Sequence, residues 1–241
     1  MAKKKEQEEV IVDVQEVYSK TETFINENQN LLIGIIAGIA IVVAGYFSYT
    51  NFYLEPLQEE AQEEMFMAEK YFAQDSMNLA INGDNVHAGF LEIIDNYGST
   101  KAGNLAKYYV GVAYLKIGKF EAAIAALNDF EKSDEIMGTV AIGAIGDAYM
   151  ELGDLNQAVD HYEQAAERKV NEFTTPVYLK KAALTYEMLG DYEEALEKYK
   201  EIKKDYRKSA EAGDVDKYIA RAESFVNKIN GYFRKKFGGS Q

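Results

Sequence analysis

Between Asn30 and Glu55 the chain carries no charged residue, and from Leu31 to Thr50 it is apolar or small almost throughout. At a helical rise of about 1.5 Å, some 20 residues cross a hydrocarbon core of roughly 30 Å, whereas the core of a cleaved signal usually runs about 7–15 residues. A cleaved signal would also lie near the start; here residues 1–30 come first, are mostly polar, and no small-x-small cleavage site stands out after the run. A buried helix of a soluble domain would need an apolar surround, and no other segment approaches this one in apolar density. The run is therefore read as a transmembrane helix over 31–54. Tyr46, Phe47, Tyr49, Phe52 and Tyr53 at its downstream end fit an aromatic belt at headgroup depth.

Orientation follows from lysine and arginine. Lys3, Lys4, Lys5 and Lys20 lie upstream, whereas the nearest positive residue downstream is Lys70, after Glu55, Glu59, Glu60, Glu63 and Glu64. Positive residues stay inside, so residues 1–30 are expected to form a cytoplasmic tail. Residues 55–241 are expected across the membrane, in the periplasm of a Gram-negative bacterium, which makes the chain a single-pass inner-membrane protein. Within the tail, Lys3 to Glu9 is a charged start. Ile11, Val14, Tyr18 and Ile25 then fit a short amphipathic helix that lies on the membrane surface, touches a partner, or simply leads into the span. Asn26, Asn28 and Asn30 are candidate caps for the span.

A formal charge of -14 and a pI near 4.7 argue against nucleic acid, and against a broad electrostatic hold on anionic lipid. The absence of cysteine removes disulfides, thiolate catalysis, cysteine-based metal sites and a lipid anchor on an N-terminal cysteine.

The segments "YYVGVAYLKIGKFEAAIAAL", "AIGAIGDAYMELGDLNQAVDHY" and "KKAALTYEMLGDYEEALEKY" superimpose. Tyr114, Tyr149 and Tyr186 align, as do Gly118, Gly153 and Gly190, then Ala123, Ala158 and Ala195, then Leu127, Tyr162 and Tyr199, at offsets of 35 and 37 residues. Gly111, Gly146 and Ala183 are small where two helices would approach, and the later glycine would end the first helix. This pattern resembles the tetratricopeptide repeat, a helix-turn-helix unit of about 34 residues. The expected fold is all-α: a single transmembrane helix followed by an α-solenoid of tetratricopeptide-like repeats near 65–100, 104–137, 139–172 and 176–209.

Its first repeat is expected to be atypical, with Ala68, Tyr71 and Phe72 in the first helix and "INGD" as the break. Two similar serine-containing turns, "YGSTKAG" and "YRKSAEAG", lead into later helices. Val215, Ile219, Ala222, Val226 and Ile229 predict an amphipathic capping helix near 210–234. Pro176 suits the first turn of a helix.

Stacked helix pairs curve into a concave surface lined by the first helix of each repeat. Counting from the shared tyrosine, the groove residues are Tyr108, Val112, Leu115, Val140, Asp147, Met150, Lys180, Leu184 and Met188. Methionine and aromatic side chains adapt to varied peptides, so the expected occupant is an extended or helical apolar segment. Some of these residues are expected to pack between helices instead. In the span, Gly34, Gly38 and Gly45 are small enough to let a second membrane helix approach.

No phosphate-cradling glycine loop, nucleophile elbow or zincin signature is present. His87 and His161 have no metal-ligand spacing, and Asp84 beside His87 is a weak pair. No catalytic residue, metal, cofactor or small-molecule substrate is expected.

Taken together, a short acidic tail, "TFINENQNLLIGIIAGIAIVVAGYF", an aromatic exit and a repeat domain ending in "GDVDKYIARAE" resemble the bacterial ancillary Sec translocon subunit family. The resemblance implies a protein beside the translocon, associating with a membrane-anchored periplasmic chaperone or prolyl isomerase and assisting newly exported chains. "YGSTKAGNLAKYYVGVAYL" is also similar to repeats of periplasmic adaptors that coordinate cell division and outer-membrane assembly. An envelope enzyme is a third alternative.

Overall fold

The computed structural model describes residues 14–237, and every element among them is helical. Lys3 to Glu9 and Ile11 lie outside the described residues. Two compact units divide after Pro56.

The first unit holds α1 (Val14–Glu27), α2 (Gln29–Tyr49) and a π-helical turn, Thr50–Leu54. Asn28 sits between the two helices, but its side chain donates backwards, Nδ2 to the Phe24 carbonyl at 2.9 Å, and makes no capping bond to α2. α2 buries none of its residues; Ile41 and Val42 are 73% and 71% exposed. At the π turn the Thr50 hydroxyl reaches back to the carbonyls of Tyr46 and Phe47, 3.1 Å from each, where the wider ladder leaves acceptors to be shared.

The second unit takes in α3 (Glu55–Ala73) from Leu57 onward, then α4 (Met77–Asn82), α5 (Phe90–Tyr97), α6 (Lys101–Lys116) and α7 (Phe120–Asp129). It continues with α8 (Glu135–Leu152), α9 (Leu155–Arg168), α10 (Thr175–Leu189), α11 (Tyr192–Asp205) and α12 (Val215–Phe237), the last preceded by a short 3₁₀ turn, Glu211–Asp214. From α5 on, each long helix packs chiefly on its predecessor and its successor, so the unit is a solenoid of helical hairpins. No strand occurs among the described residues.

Three hairpins share one elbow. Gly118, Gly153 and Gly190 have φ of +75°, +78° and +89°, a left-handed conformation that an L side chain rarely adopts. That geometry turns the next N–H back onto the helix: Lys119, Asp154 and Asp191 donate to the carbonyls of Tyr114, Tyr149 and Tyr186 at 2.9–3.0 Å. The orphan carbonyls of α6, α8 and α10 are thereby satisfied.

Inside each hairpin the small residues let the helices close. A Cβ on Gly111 would stand 2.5 Å from Leu127 Cγ, and one on Gly146 would stand 2.7 Å from Tyr162 Cε1; Ala183 is fully buried. Leu127, Tyr162 and Tyr199, aligned in the sequence, are all buried. They anchor the core in turn, Leu127 with Phe130 and Ile145, Tyr162 and Tyr199 with Leu179 and Ile202.

The stretch near 65–100 is built differently. Between α3 and α5 the chain inserts α4, after a break at Asp75, whose φ is +58°. The "INGD" stretch closes α4, which ends at Asn82, and opens a loop organised by Asp84. Its carboxylate accepts from the Val86 and His87 N–H groups at 3.0 and 2.7 Å and from the Tyr71 hydroxyl at 2.6 Å. Those bonds, Tyr71's first, hold the carboxyl well below the usual range. His87 Nδ1 lies 3.1 Å from the same carboxylate, so the Asp84–His87 pair staples a loop.

The cap joins through charge as well as packing. Asp214 faces Lys180 at 2.8 Å and Lys217 at 2.7 Å, and these two ammonium groups bring its carboxyl down to about 2. A folded value below the unfolded one of about 3.9 means that the pair contributes fully above pH 4 and fades as pH falls through 2. Thermal melts between those limits should therefore fall more steeply for the native chain than for Asp214→Asn. Parallel curves would show that the pair does not couple to folding.

Candidate protein-docking groove

The first helices of the three regular hairpins, α6, α8 and α10, carry the expected groove residues, and the fold separates them into groups. Leu115, Asp147 and Met150 come together: with Lys116, Gly118, Phe120, Glu151 and Tyr162 they line a cavity of about 480 Å³ between the α6–α7 elbow and α8. Leu115, Phe120 and Met150 supply its apolar lining, and Lys116, Asp147, Glu151 and Tyr162 its polar lining.

Tyr108 and Val112 are half-buried against the Leu127–Ile145 core, the Tyr108 ring 5.7 Å from that of Phe130. Burial pushes the Tyr108 hydroxyl up. Lys180 is committed to Asp214 and sits 5.1 Å over the Tyr218 ring, so it serves the cap. Val140 and Leu184 are half-buried, and Met188 is exposed at the end of α10. In the first unit, a Cβ on Gly34, Gly38 or Gly45 would meet no atom within 4 Å.

Asp147 is the polar centre of the cavity. Lys181 Nζ donates to both of its oxygens, at 2.6 and 2.8 Å, and the Tyr162 hydroxyl donates to Oδ1 at 2.6 Å. Lys181 lies 5.4 and 5.8 Å over the rings of Tyr162 and Tyr178, so the cation is held by π-faces as well as by the carboxylate. Both phenols are pushed well up, Tyr162 by burial and then by its bond to Asp147, Tyr178 by burial and then by the Asp147 charge. They remain neutral donors at any physiological pH. Tyr178 also closes on Gly143 of α8, where a Cβ would overlap its ring. This cluster ties α8, α9 and α10 to one another.

Lys181 and Tyr162 are not among the expected groove residues. Lys181 is one residue from Lys180, a step of about 100° around a helix, and Tyr162 belongs to the second helix of its hairpin, outside a count made on first helices. The one available signal is the pairing of a lone carboxylate, Asp147, with lysines one repeat away.

A cleft of mixed lining, with Leu115, Phe120 and Met150 beside the carboxylates of Asp147 and Glu151, can seat a small apolar side chain and accept a hydrogen bond from the segment that carries it. No group of three or more His, Asp or Glu side chains that could hold a metal occurs among the described residues.

Comparison with known proteins agrees with this geometry. A tetratricopeptide repeat family profile matches residues 137–208, the α8–α9 and α10–α11 hairpins. The fold is a tetratricopeptide-like solenoid. Two crystal structures of nearly identical TPR-like repeats from Podosopora anserina, named for a putative kinesin light chain, superimpose with a TM-score of 0.53 at 13% identity. One, a single-substitution variant, covers 74% of this chain and 97% of its own; the other covers 75% and 98%. At that identity the likeness is one of fold. No curated protein matches the chain. A tetratricopeptide-like array is a scaffold for protein contacts.

Proposed function

We propose that this protein is a membrane-anchored docking platform that holds its repeat groove outside the cytosol, as an ancillary subunit of the Sec export translocon. The observation that carries the anchor is α2: a helix of 21 residues with no charge and no buried residue. Left in water, each exposed isoleucine or valine forgoes roughly 1.5–3 kcal/mol of burial, and a bilayer supplies that burial. Gly34, Gly38 and Gly45 leave one flank of α2 open to a neighbouring membrane helix. The translocon assignment rests on the family resemblance of the tail, span and repeat layout. The groove would then receive apolar segments of a periplasmic chaperone, a prolyl isomerase or an emerging polypeptide, with Leu115 and Met150 against the apolar part and Asp147 at its backbone.

Photo-crosslinking in cells from Gly38 and from Met150 tests this. The expected result is translocon subunits captured from position 38 and a chaperone or exported chain from position 150, the latter lost with Leu115→Glu. Recovery of peptidoglycan synthases or outer-membrane assembly factors from position 150 would favour the envelope-adaptor reading instead.

A further inference from the structure

α12 outlasts the helix it caps. Tyr192 opens α11, and its ring stacks on Phe225 of α12 at 4.4 Å, so residues 226–237 run on past the end of α11. At 1.5 Å per residue this overhang is about 18 Å long. Before it, the face that α12 packs inward is built on Val215, Ile219 and Ala222, all buried. The sequence carries the same three- and four-residue step on through Val226, Ile229, Phe233 and Phe237, and Ile229 is already 40% exposed. The apolar stripe thus continues beyond the helix that covers its first half.

Charge changes over the same residues. From Val226 to Gln241 the chain has Lys228, Arg234, Lys235 and Lys236 and no acidic residue, although its whole length has 40 carboxylates against 26 lysines and arginines. On a helical wheel positions 234 and 236 flank this stripe and positions 228 and 235 fall on the opposite face; an apolar stripe edged by cations on a helix with a basic polar face suits the plane of a bilayer interface. Pairing two overhangs from two copies would set cations against cations. Acidic surface elsewhere is repelled by anionic lipid, but screening confines that repulsion to about 8 Å, less than the reach of the overhang.

We infer that residues 226–237 form an interfacial helix that lies on an anionic phospholipid bilayer, drawn there by the uncompensated positive charge of this segment. This goes beyond the groove's docking role and needs from the reading above only that α2 holds the chain at a bilayer.

The protein contains no tryptophan, so Tyr232→Trp in the full chain gives a single reporter. Reconstituted into phosphatidylcholine containing phosphatidylglycerol, its emission should shift to the blue and resist acrylamide quenching, and high salt should reverse both. In phosphatidylcholine alone neither change should occur. Arg234→Gln and Lys236→Gln, at the positions flanking the stripe, should each lower the docked population about fivefold, and Lys228→Gln, Arg234→Gln, Lys235→Gln and Lys236→Gln together should abolish it without moving the melting temperature. Alkaline extraction of the same vesicles reports on α2 separately, so failure of the anchor is distinguishable from failure of the overhang to dock. A blue shift that survives the four glutamines, occurs equally without phosphatidylglycerol, or follows protein concentration instead of lipid charge overturns the inference.

Discussion

Gly103→Ala should lower the stability of the repeat unit by about 2–3 kcal/mol, the range for forced overpacking of a closed site. The added methyl would land on the Tyr97 carbonyl, 2.5 Å from its carbon and 2.8 Å from Gly98 Cα. All of these are backbone atoms, so no rotamer change relieves the contact, and α5 and α6 must separate. That seam holds Phe90, Ile93, Tyr97, Ala102 and Val110 in one buried cluster. It is also where Thr100 caps α6 by accepting from Gly103 N–H at 3.0 Å, and where Gln58 accepts from Ala102 N–H at 3.0 Å. For a unit of this size the melting temperature should drop by roughly 5–10 °C. The internal control is Gly213, which closes the second serine-containing turn but has open space around its Cβ position and no positive φ. Gly213→Ala should change stability by less than about 0.5 kcal/mol. If the two variants melt together, the close approach at Gly103 is not a feature of the folded protein.

Replacing Ile39 and Val42 together by aspartate should release the protein from membranes. Both residues are exposed on α2 near the middle of its apolar run, and an aspartate at the centre of a spanning helix costs about 2.5–3.5 kcal/mol. Two such costs add to about 5–7 kcal/mol, which on its own shifts an insertion equilibrium by about four orders of magnitude. After extraction at alkaline pH, the native chain should remain with the bilayer and the variant should be soluble. Because α2 belongs to a separate unit, the melting of the repeats should be unaltered in the variant. A native chain extracted as readily as the variant would remove the anchor, and with it the proposed placement of the groove.

The regular hairpins are legible because their elbows leave a mark. A turn that requires positive φ selects glycine, and three glycines at matching positions expose the period of the array. The insertion of α4 leaves no such mark, since the residue in left-handed conformation at that break is Asp75, a type that tolerates αL and is common everywhere. "INGD" reads in the sequence as the break of the first hairpin, whereas the loop it opens follows α4 and is held by Asp84. In the groove, a count along first helices finds Leu115, Asp147 and Met150, which meet in one cavity. The same count finds Lys180, whose direction depends on a cap residue, Asp214, that is 34 positions away. It misses Tyr162 and Lys181, because contacts between hairpins are set by how far each is rotated on the next, and a periodic pattern in one chain does not encode that rotation.

The shared elbow has a consequence for how such an array grows. At Gly118, Gly153 and Gly190 the turn is closed by main-chain bonds to a tyrosine carbonyl, and the side chains that follow, Lys119, Asp154 and Asp191, are exposed. Tandem duplication of one module, cut at consecutive elbows, would carry its own closure with it and leave the flanking turns intact. The length of the groove is then a quantity that gene duplication can adjust in whole units, independently of the helices that precede and follow the repeats in the chain.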